Sequence, residues 1–548
     1  MTDYPHIHYL KRLESATRKY WDKPALNDVG GKSYTFGQMA SRIEKLHLFY
    51  EAAGIGKHDH IAISAPNCAR WGMAYISVIT YEAVVVPILN DFTPANVAFL
   101  TDHSEALGLF TDAEKWEKMD IADMPGLLFA VDINGWGLLY AANDTIKKAH
   151  EGMEAAFASR YPEGMKPGDV VFPESPLDNL AMINYTSGST GNPKGVMLTN
   201  RNFTATVDYC QWKMPVGEAI VSMLPMAHMY GLMIEFVYPV CNGVSIYWLG
   251  KAPTPAALMK AFQDVHPYLL ISVPLVMEKI FKGKIKPILD KPAVKVASKI
   301  PGINKIVFRK VKDGLLQAFG GNVREFIFGG AAFNPEVEKW LKKIDFPYSV
   351  GYGMTEANPL LAYEWARLYK QGSCGRPVAC TTVRIDSEDP EHVVGEIQAK
   401  GDNICVGYYK NEEATRAAFT EDGYLRTGDL GIQDKDGWIF IKGRSKAMIL
   451  GPSGQNIYPE ELEAVVNNQK YVSESVVVDR GGRLVALVYL DANATRGLDA
   501  EALSDIPEAI RIGANRLLPK YSQIAKVEVR EEAFEKTPKM SIKRFLYS

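Results

Sequence analysis

Helix-period and strand-like runs alternate through the first hundred residues, and that alternation limits the chain to a layered α/β architecture. Thr35-Phe-Gly-Gln38 reads as a capping box, with Met39, Ile43 and Leu46 following at helical spacing. Gly54-Ile-Gly56 ends that helix and His60-Ile-Ala-Ile-Ser64 reads as a short strand. Pro66-Asn67 opens a second helix running to about Tyr81, and the apolar run Ala83 to Pro87 follows as the next strand. Strands separated by helices in this way pair in parallel, with helices on the faces of the sheet. Similar alternation recurs from Ala181 to about Tyr352. From Gly395 to Ile441 the pattern changes to short alternating strands, with turns at Glu421-Asp-Gly423 and Asp434-Lys-Asp-Gly437.

A chain of 548 residues is too long for one core. A boundary near Gly443 to Lys446 predicts domains of 1–443 and 444–548. Beyond it, Pro459, Glu460 and Glu461 suit a first helical turn, with Leu462, Val465 and Val466 as the apolar face. Asp479-Arg-Gly-Gly482 reads as a hairpin-like turn between Ser475 to Val478 and Leu484 to Leu490. The expectation is a large α/β N-terminal domain with parallel sheets and a β-rich subdomain, then a small α+β domain.

Composition narrows the class. Hydrophobic residues are 47% and charged residues 23%, as in a soluble globular enzyme. A formal net charge of −3 gives no global basic field to attract nucleic acid. Cysteines 68, 210, 241, 374, 380 and 405 form no CxxC pair and no Cys/His metal spacing, which fits reduced thiols and a cytoplasmic location. The first residues lack the basic and apolar regions of a signal peptide. The most apolar stretch, Ile76 to Leu89, is interrupted by Tyr81, Glu82 and Pro87, so it reads as a buried segment, not a membrane span. Oligomeric state is not readable.

The most informative segment is Tyr185-Thr-Ser-Gly-Ser-Thr-Gly-Asn-Pro-Lys-Gly-Val196, which follows a strand-like stretch. It concentrates hydroxyls at Thr186, Ser187, Ser189 and Thr190, glycines at Gly188, Gly191 and Gly195, and the cation Lys194. Glycines allow backbone N–H groups close to an anion, hydroxyls donate to phosphate oxygens, and lysine adds a point charge. The spacing is not that of a Walker A loop. Composition by itself also suits a flexible loop of small residues.

This segment resembles the phosphate loop of the adenylate-forming superfamily, which includes acyl-CoA synthetases, peptide-synthetase adenylation domains and luciferases; one Ser/Thr exchange, at Ser189, separates them. The resemblance continues in the family's order. It includes Leu224-Pro-Met-Ala-His-Met-Tyr-Gly231, Gly329-Gly-Ala331, Gly351-Tyr-Gly-Met-Thr-Glu356, Tyr424-Leu-Arg-Thr-Gly-Asp429, Gly443-Arg-Ser-Lys446 and Pro459-Glu-Glu461. It covers about Tyr34 to Arg544.

The resemblance implies an AMP-forming acyl-CoA synthetase that uses ATP and Mg²⁺ to adenylate a small-molecule carboxylic acid, then passes the acyl group to coenzyme A. Thr186 to Lys194 would hold the β- and γ-phosphates, and Glu356 would ligate Mg²⁺ as a hard oxygen donor. Thr355 would touch the α-phosphate, and Tyr352, with Gly353 beside it, would stack on adenine. Gly329, Gly330 and Ala331 would leave room for the base. Asp429 would accept from both ribose hydroxyls, Arg444 would contact ribose or phosphate, and Lys446 would be the hinge of a mobile C-terminal domain. His228 would border the acyl pocket and the thiol path.

One departure bears on mechanism. Relatives carry a catalytic lysine in a C-terminal Thr-Pro-x-x-Lys segment, whereas this chain reads Thr537-Pro-Lys-Met-Ser-Ile-Lys-Arg544, with Ser541 at that position. Lys539 and Lys543 flank it on the same face of an extended segment. Either can substitute, with Lys543 preferred. Gly451 to Tyr458 resembles long-chain ligases, implying a medium- or long-chain fatty acid. The apolar stretch Met226 to Val240 suits either an alkyl pocket or core packing. Two alternatives share the motifs: transfer to a carrier-protein phosphopantetheine, or a non-catalytic acyl- or nucleotide-binding protein.

Overall fold

The computed structural model describes residues 6–186, 193–250, 255–298, 300–331, 333–450, 456–536 and 542–547. The capping box forms: Thr35 Oγ1 accepts from Gln38 N at 3.2 Å, and Gln38 Oε1 accepts from Thr35 N at 2.9 Å. It opens the helix Phe36–Ala52, whose Met39, Ile43 and Leu46 are buried. The second helix, Ala69–Thr80, begins later than Pro66-Asn67 suggested, with Cys68 as its cap. Asn67 is instead drawn out of the helix, donating to Leu224 O at 2.7 Å and accepting from Met226 N at 2.9 Å. Every residue of that helix except Arg70 is buried, so the apolar run serves an interior helix. Among the described residues no helix is long and apolar enough to cross a membrane.

His60–Ser64 and Val84–Pro87 pair in parallel at the centre of an eight-stranded sheet, flanked by Ala106–Thr111 and Leu180–Thr186. Beyond Leu180–Thr186 the sheet turns antiparallel, through Lys194–Thr199 to the short edge strand Gly407–Tyr408. Leu269–Ser272, Glu325–Phe328 and Tyr348–Val350 form a second, wholly parallel sheet. Gly395–Gly401, Leu425–Gln433 and Ile439–Arg444 are the short strands expected between Gly395 and Ile441, and with Thr381–Asp386, outside that range, they make an antiparallel four-stranded sheet. Gly423 and Gly437 take φ of +83° and +84° in those turns, a backbone conformation that favours glycine.

The C-terminal part packs helices Pro459–Asn467 and Ala500–Asn515 on strands Val472–Asp479, Leu484–Leu490 and Lys526–Arg530. Strands Val472–Asp479 and Leu484–Leu490 form the predicted hairpin, while Lys526–Arg530 returns parallel to the second of them. Arg544 fastens the chain's tail to this unit by pairing with Glu463, whose carboxyl is buried and pushed up to about 7 despite that cation. Removing one partner of a buried ion pair strands the other. Because Arg544 is itself partly exposed, Arg544→Ala is expected to destabilise this unit by about 2–3 kcal/mol, less than for a fully buried pair. The check is amide exchange in the helix Pro459–Asn467, which should accelerate at least about thirtyfold; unchanged protection would show that the pair contributes nothing.

Candidate functional site

Strands Leu180–Thr186 and Lys194–Thr199 form an antiparallel hairpin in which Thr186 lies directly opposite Lys194. The glycine-rich segment is thus slung between two strands, unlike a P-loop, which runs from a strand into a helix. Ser187, Gly188, Ser189, Thr190 and Gly191 lie outside the described residues. What is described is their base: a hydroxyl and an ammonium side by side on one sheet face.

Lys194 does not stand alone. Its Nζ lies 4.9 Å from the ring centre of Tyr408. The Tyr408 hydroxyl donates to Glu356 Oε1 at 2.9 Å. Backbone pairing of Gly407–Tyr408 with Val196 and Met197 fixes that ring, and Glu356 O accepts from Cys405 N at 2.8 Å. Glu356 occupies the short 3₁₀ turn Thr355–Ala357, in which Thr355 is buried. Buried Asn403 clamps the turn, its Nδ2 donating to Ala357 O at 3.0 Å and Leu360 O at 2.7 Å. Asn202 in turn donates to Asp402 O and Ile404 O, at 2.7 and 2.8 Å. Half-buried Glu356 is therefore held by one carboxylate oxygen; its Oε2 takes no hydrogen bond among the described residues.

The other end of the same segment carries Tyr352, whose hydroxyl donates to Asp429 Oδ2 at 2.8 Å. Asp429 sits opposite Arg444 in the strand ladder, and Arg444 Nε reaches Asp429 Oδ1 at 3.0 Å. Burial raises the Asp429 carboxyl above the usual aspartate value, while Arg444 and Tyr352 pull it back down. Arg444 itself is largely exposed. The chain then enters a 3₁₀ turn, Ser445–Ala447, with Ser445 Oγ donating to Gly428 O at 3.1 Å. The side chain of Lys446 lies outside what is described. Between Tyr352 and Thr355, Gly353 passes so close to Pro359 that a Cβ would lie 1.8 Å from its carbonyl oxygen, which rules out a larger residue.

The third group gathers at the ends of the parallel strands. Gly329, Gly330 and Ala331 follow strand Glu325–Phe328, Gly330 with φ +80°. A Cβ on Gly329 would lie 3.1 Å from the Tyr230 ring. Half-buried His228 caps the turn Met229–Gly231, its Nδ1 accepting from Tyr230 N at 3.2 Å. The segment before it is clamped by Asn67 and by Asn184, which donates to Ala227 O at 3.0 Å. Glu235 completes the clamp: its Oε2 accepts from Ser222 Oγ, Met223 N and Leu224 N at 2.9, 3.0 and 2.9 Å. Most of Met226 to Val240 is buried, His228 and Tyr230 being the half-buried exceptions, and within it the π-helical turn Leu232–Val237 carries this one buried carboxyl.

Tyr408, Asn403 and Glu235 escaped sequence reasoning. Glu235 had a signal, a lone carboxylate inside an apolar run; Tyr408 and Asn403 had none, because their partners are distant in sequence. Lys543 is placed away from all three groups' contacts. Its Nζ pairs with Glu535 at 3.2 Å and its backbone N donates to Glu535 O at 2.9 Å. Lys539 and Ser541 lie outside the described residues.

Parallel strands whose carboxyl ends carry glycine turns, an antiparallel hairpin across a glycine-rich segment and a small C-terminal unit match the fold of adenylate-forming enzymes. The sequence profile described as AMP-binding enzyme matches residues 13–409, and that described as AMP-binding enzyme C-terminal domain matches 447–547. The chain belongs to the AMP-binding enzyme family, and its class is that of the AMP-forming acid–thiol ligases. A long-chain-fatty-acid–CoA ligase of Bacillus subtilis is 28% identical, over 97% of this chain and 95% of its own. A sulfoacetate–CoA ligase of Cupriavidus necator is 29% identical, over 83% and 82%. The crystal structure of the anthranilate CoA ligase AuaEII with anthranoyl-AMP shares the fold, with a TM-score of 0.78 at 18% identity over 100% of this chain and 97% of that one.

Burial pushes the Glu235 carboxyl up to about 8, against an ordinary value of 4.5. Folded chains thus keep a proton there that unfolded chains lose, and stability should fall as pH rises from about 4.5 to about 8. Glu235→Gln retains a carbonyl acceptor and removes the titration. Relative to the parent, the variant should gain stability on the order of a few kcal/mol between pH 5 and pH 8. Urea unfolding at pH 5, 6.5 and 8 measures this; parallel profiles would mean that Glu235 is ionised in the fold.

Proposed function

We propose that the protein joins a carboxylic acid to AMP at the expense of ATP and then transfers the acyl group to coenzyme A, the acid being a medium- or long-chain fatty acid. The observation that carries the reading is the grouping of Thr186, Lys194, Tyr408 and Glu356. It links a hydroxyl, a cation, a phenol and a carboxylate in sequence at the base of the glycine-rich loop. Both the attacking carboxylate and the α-phosphate are anionic, so such a site must screen charge while aligning the reactants.

The residues suit Mg²⁺: Glu356 offers a hard oxygen on a carboxylate already oriented by Tyr408. When bound there, Mg²⁺ would neutralise phosphate charge. Lys194 and the loop 187–191 would hold the β- and γ-phosphates, and Thr355 the α-phosphate. Tyr352 and Gly353 would face the base, with Gly329, Gly330 and Ala331 giving it space. Asp429, already ordered by Tyr352 and Arg444, would take the ribose hydroxyls. His228 would border the acyl group and the incoming thiol. The division at Gly443/Arg444, with Lys446 as the pivot, belongs to the same reading. So does a cytoplasmic site of action, supported by six free cysteines.

The acid is the finer part of the proposal. Alignment with long-chain ligases over nearly the whole chain favours a fatty acid, while the sulfoacetate ligase shows how widely acids vary among equally similar relatives. Pyrophosphate release across fatty, aryl and short acids, with and without CoA, tests it. A preference for aryl or short acids would overturn the substrate, and release that never leads to acyl-CoA would overturn the acceptor.

Glu356→Gln is expected to lower pyrophosphate release on the order of a hundredfold with the fold intact. Near-parent rates would remove Glu356 from the metal site. For Lys543 to act in adenylation it must leave Glu535, so Lys539→Ala and Lys543→Ala are compared separately and together. Loss of the working lysine should slow adenylate formation about ten- to a hundredfold, and thioester formation from preformed adenylate much less. A double variant adenylating at the parent rate would show that no tail lysine is used.

A further inference from the structure

Residues 274–313 carry eleven Lys or Arg against three Asp or Glu, in a chain whose net charge is −3. They fold as consecutive helical pieces from Pro274–Ile280 to the long helix Ile303–Ala318. One face packs inward, through Met277, Phe281, Ile285, Leu289, Phe308 and Leu315. The outward face is not simply polar. Ile288, Val296, Ile300, Ile303 and Ile306 are exposed, Val296 by 62% and Ile306 by 59%. Helix Pro292–Ala297 buries none of its residues, so core packing does not account for its outward valine.

Charge and apolar surface are interleaved. On Ile303–Ala318, Ile303, Ile306 and Lys310 recur at i, i+3 and i+7, away from the Phe308 and Leu315 face. Lys279, Lys291, Lys295, Lys305 and Lys310 have no carboxylate within salt-bridge distance among the described residues. Branched apolar side chains among unpaired lysines suit a surface that offers both anionic groups and hydrocarbon. We propose that this helical face docks on the surface of an anionic lipid bilayer, the isoleucines and valine entering the interface and the lysines meeting the headgroups. A nucleic acid would leave the isoleucines unused. A second copy meeting face to face would set two lysine arrays against each other.

The patch begins beside the site. Strand Leu269–Ser272 leads directly into Pro274, and Ser272 O accepts from Gly329 N at 3.2 Å. Docking is independent of which acid is activated. If the acid is a fatty acid, the turn Gly329–Ala331 would lie near the phase in which that substrate dissolves.

The test is flotation of the full-length chain with vesicles of phosphatidylcholine alone or mixed with phosphatidylglycerol. Parent protein should float only with the anionic vesicles, and less as salt is raised. Ile303→Ser with Ile306→Ser, and separately Lys291→Ala, Lys295→Ala, Lys305→Ala and Lys310→Ala together, should each cut partitioning at least about tenfold, with vesicle-free turnover unchanged. The lysine set, being solvent-exposed, keeps the test decisive if the isoleucine variant misfolds. Equal partitioning of parent and variants, or equal binding to neutral vesicles, overturns the proposal. So does binding to duplex RNA without flotation, or a change in oligomeric state of the isoleucine variant without flotation.

Discussion

Strand Lys194–Thr199 has partners on both sides, Leu180–Thr186 across the glycine-rich loop and Gly407–Tyr408 at the sheet edge. The first pairing brings Thr186 and Lys194 together at the mouth of the loop. The second carries Tyr408 in from more than two hundred residues away and sets its ring between a lysine and a carboxylate. Neither partner alone makes the grouping. The backbone ladder thus orders a polar cluster drawn from three separate stretches of the sequence, at 186–194, 356 and 408.

Around that strand, buried amide side chains do what regular structure does not. Asn67, Asn184, Asn202 and Asn403 each bind backbone groups of irregular segments, and Glu235 binds two more N–H groups. Irregular backbone in an interior has to find partners for its polar groups, and these side chains supply them at fixed positions. Loops that carry His228 and Glu356 are thereby tied at several backbone groups.

Local signals in the sequence were reliable where the physics is local. The Thr35–Gln38 box, the glycine turns at 423 and 437, and the hairpin around Gly481 and Gly482 all depend on neighbours within a few residues. The helix starts at Ala69, later than Pro66-Asn67 suggests, because Asn67 is claimed by a loop some 160 positions away. Motif order pointed to the family, yet the contacts of Tyr352 with Asp429 and of Tyr408 with Glu356 are long-range and left no periodic trace. Lys543 shows the converse: spacing made it available, while its pairing with Glu535 depends on how the tail folds back.

The Asp429–Arg444 rung joins two things usually described apart. Arg444 is the last residue of its strand, and the connection to the C-terminal unit starts at the next one. In the proposed reading, a ribose held by Asp429 would share that carboxylate with Arg444, next to the proposed domain division. Were the C-terminal unit to move as proposed, any effect of that move on the rung would appear in equal measure as altered affinity for the ribose. Occupancy and domain posture would then be read from a single hydrogen-bonded rung, with no relay between them.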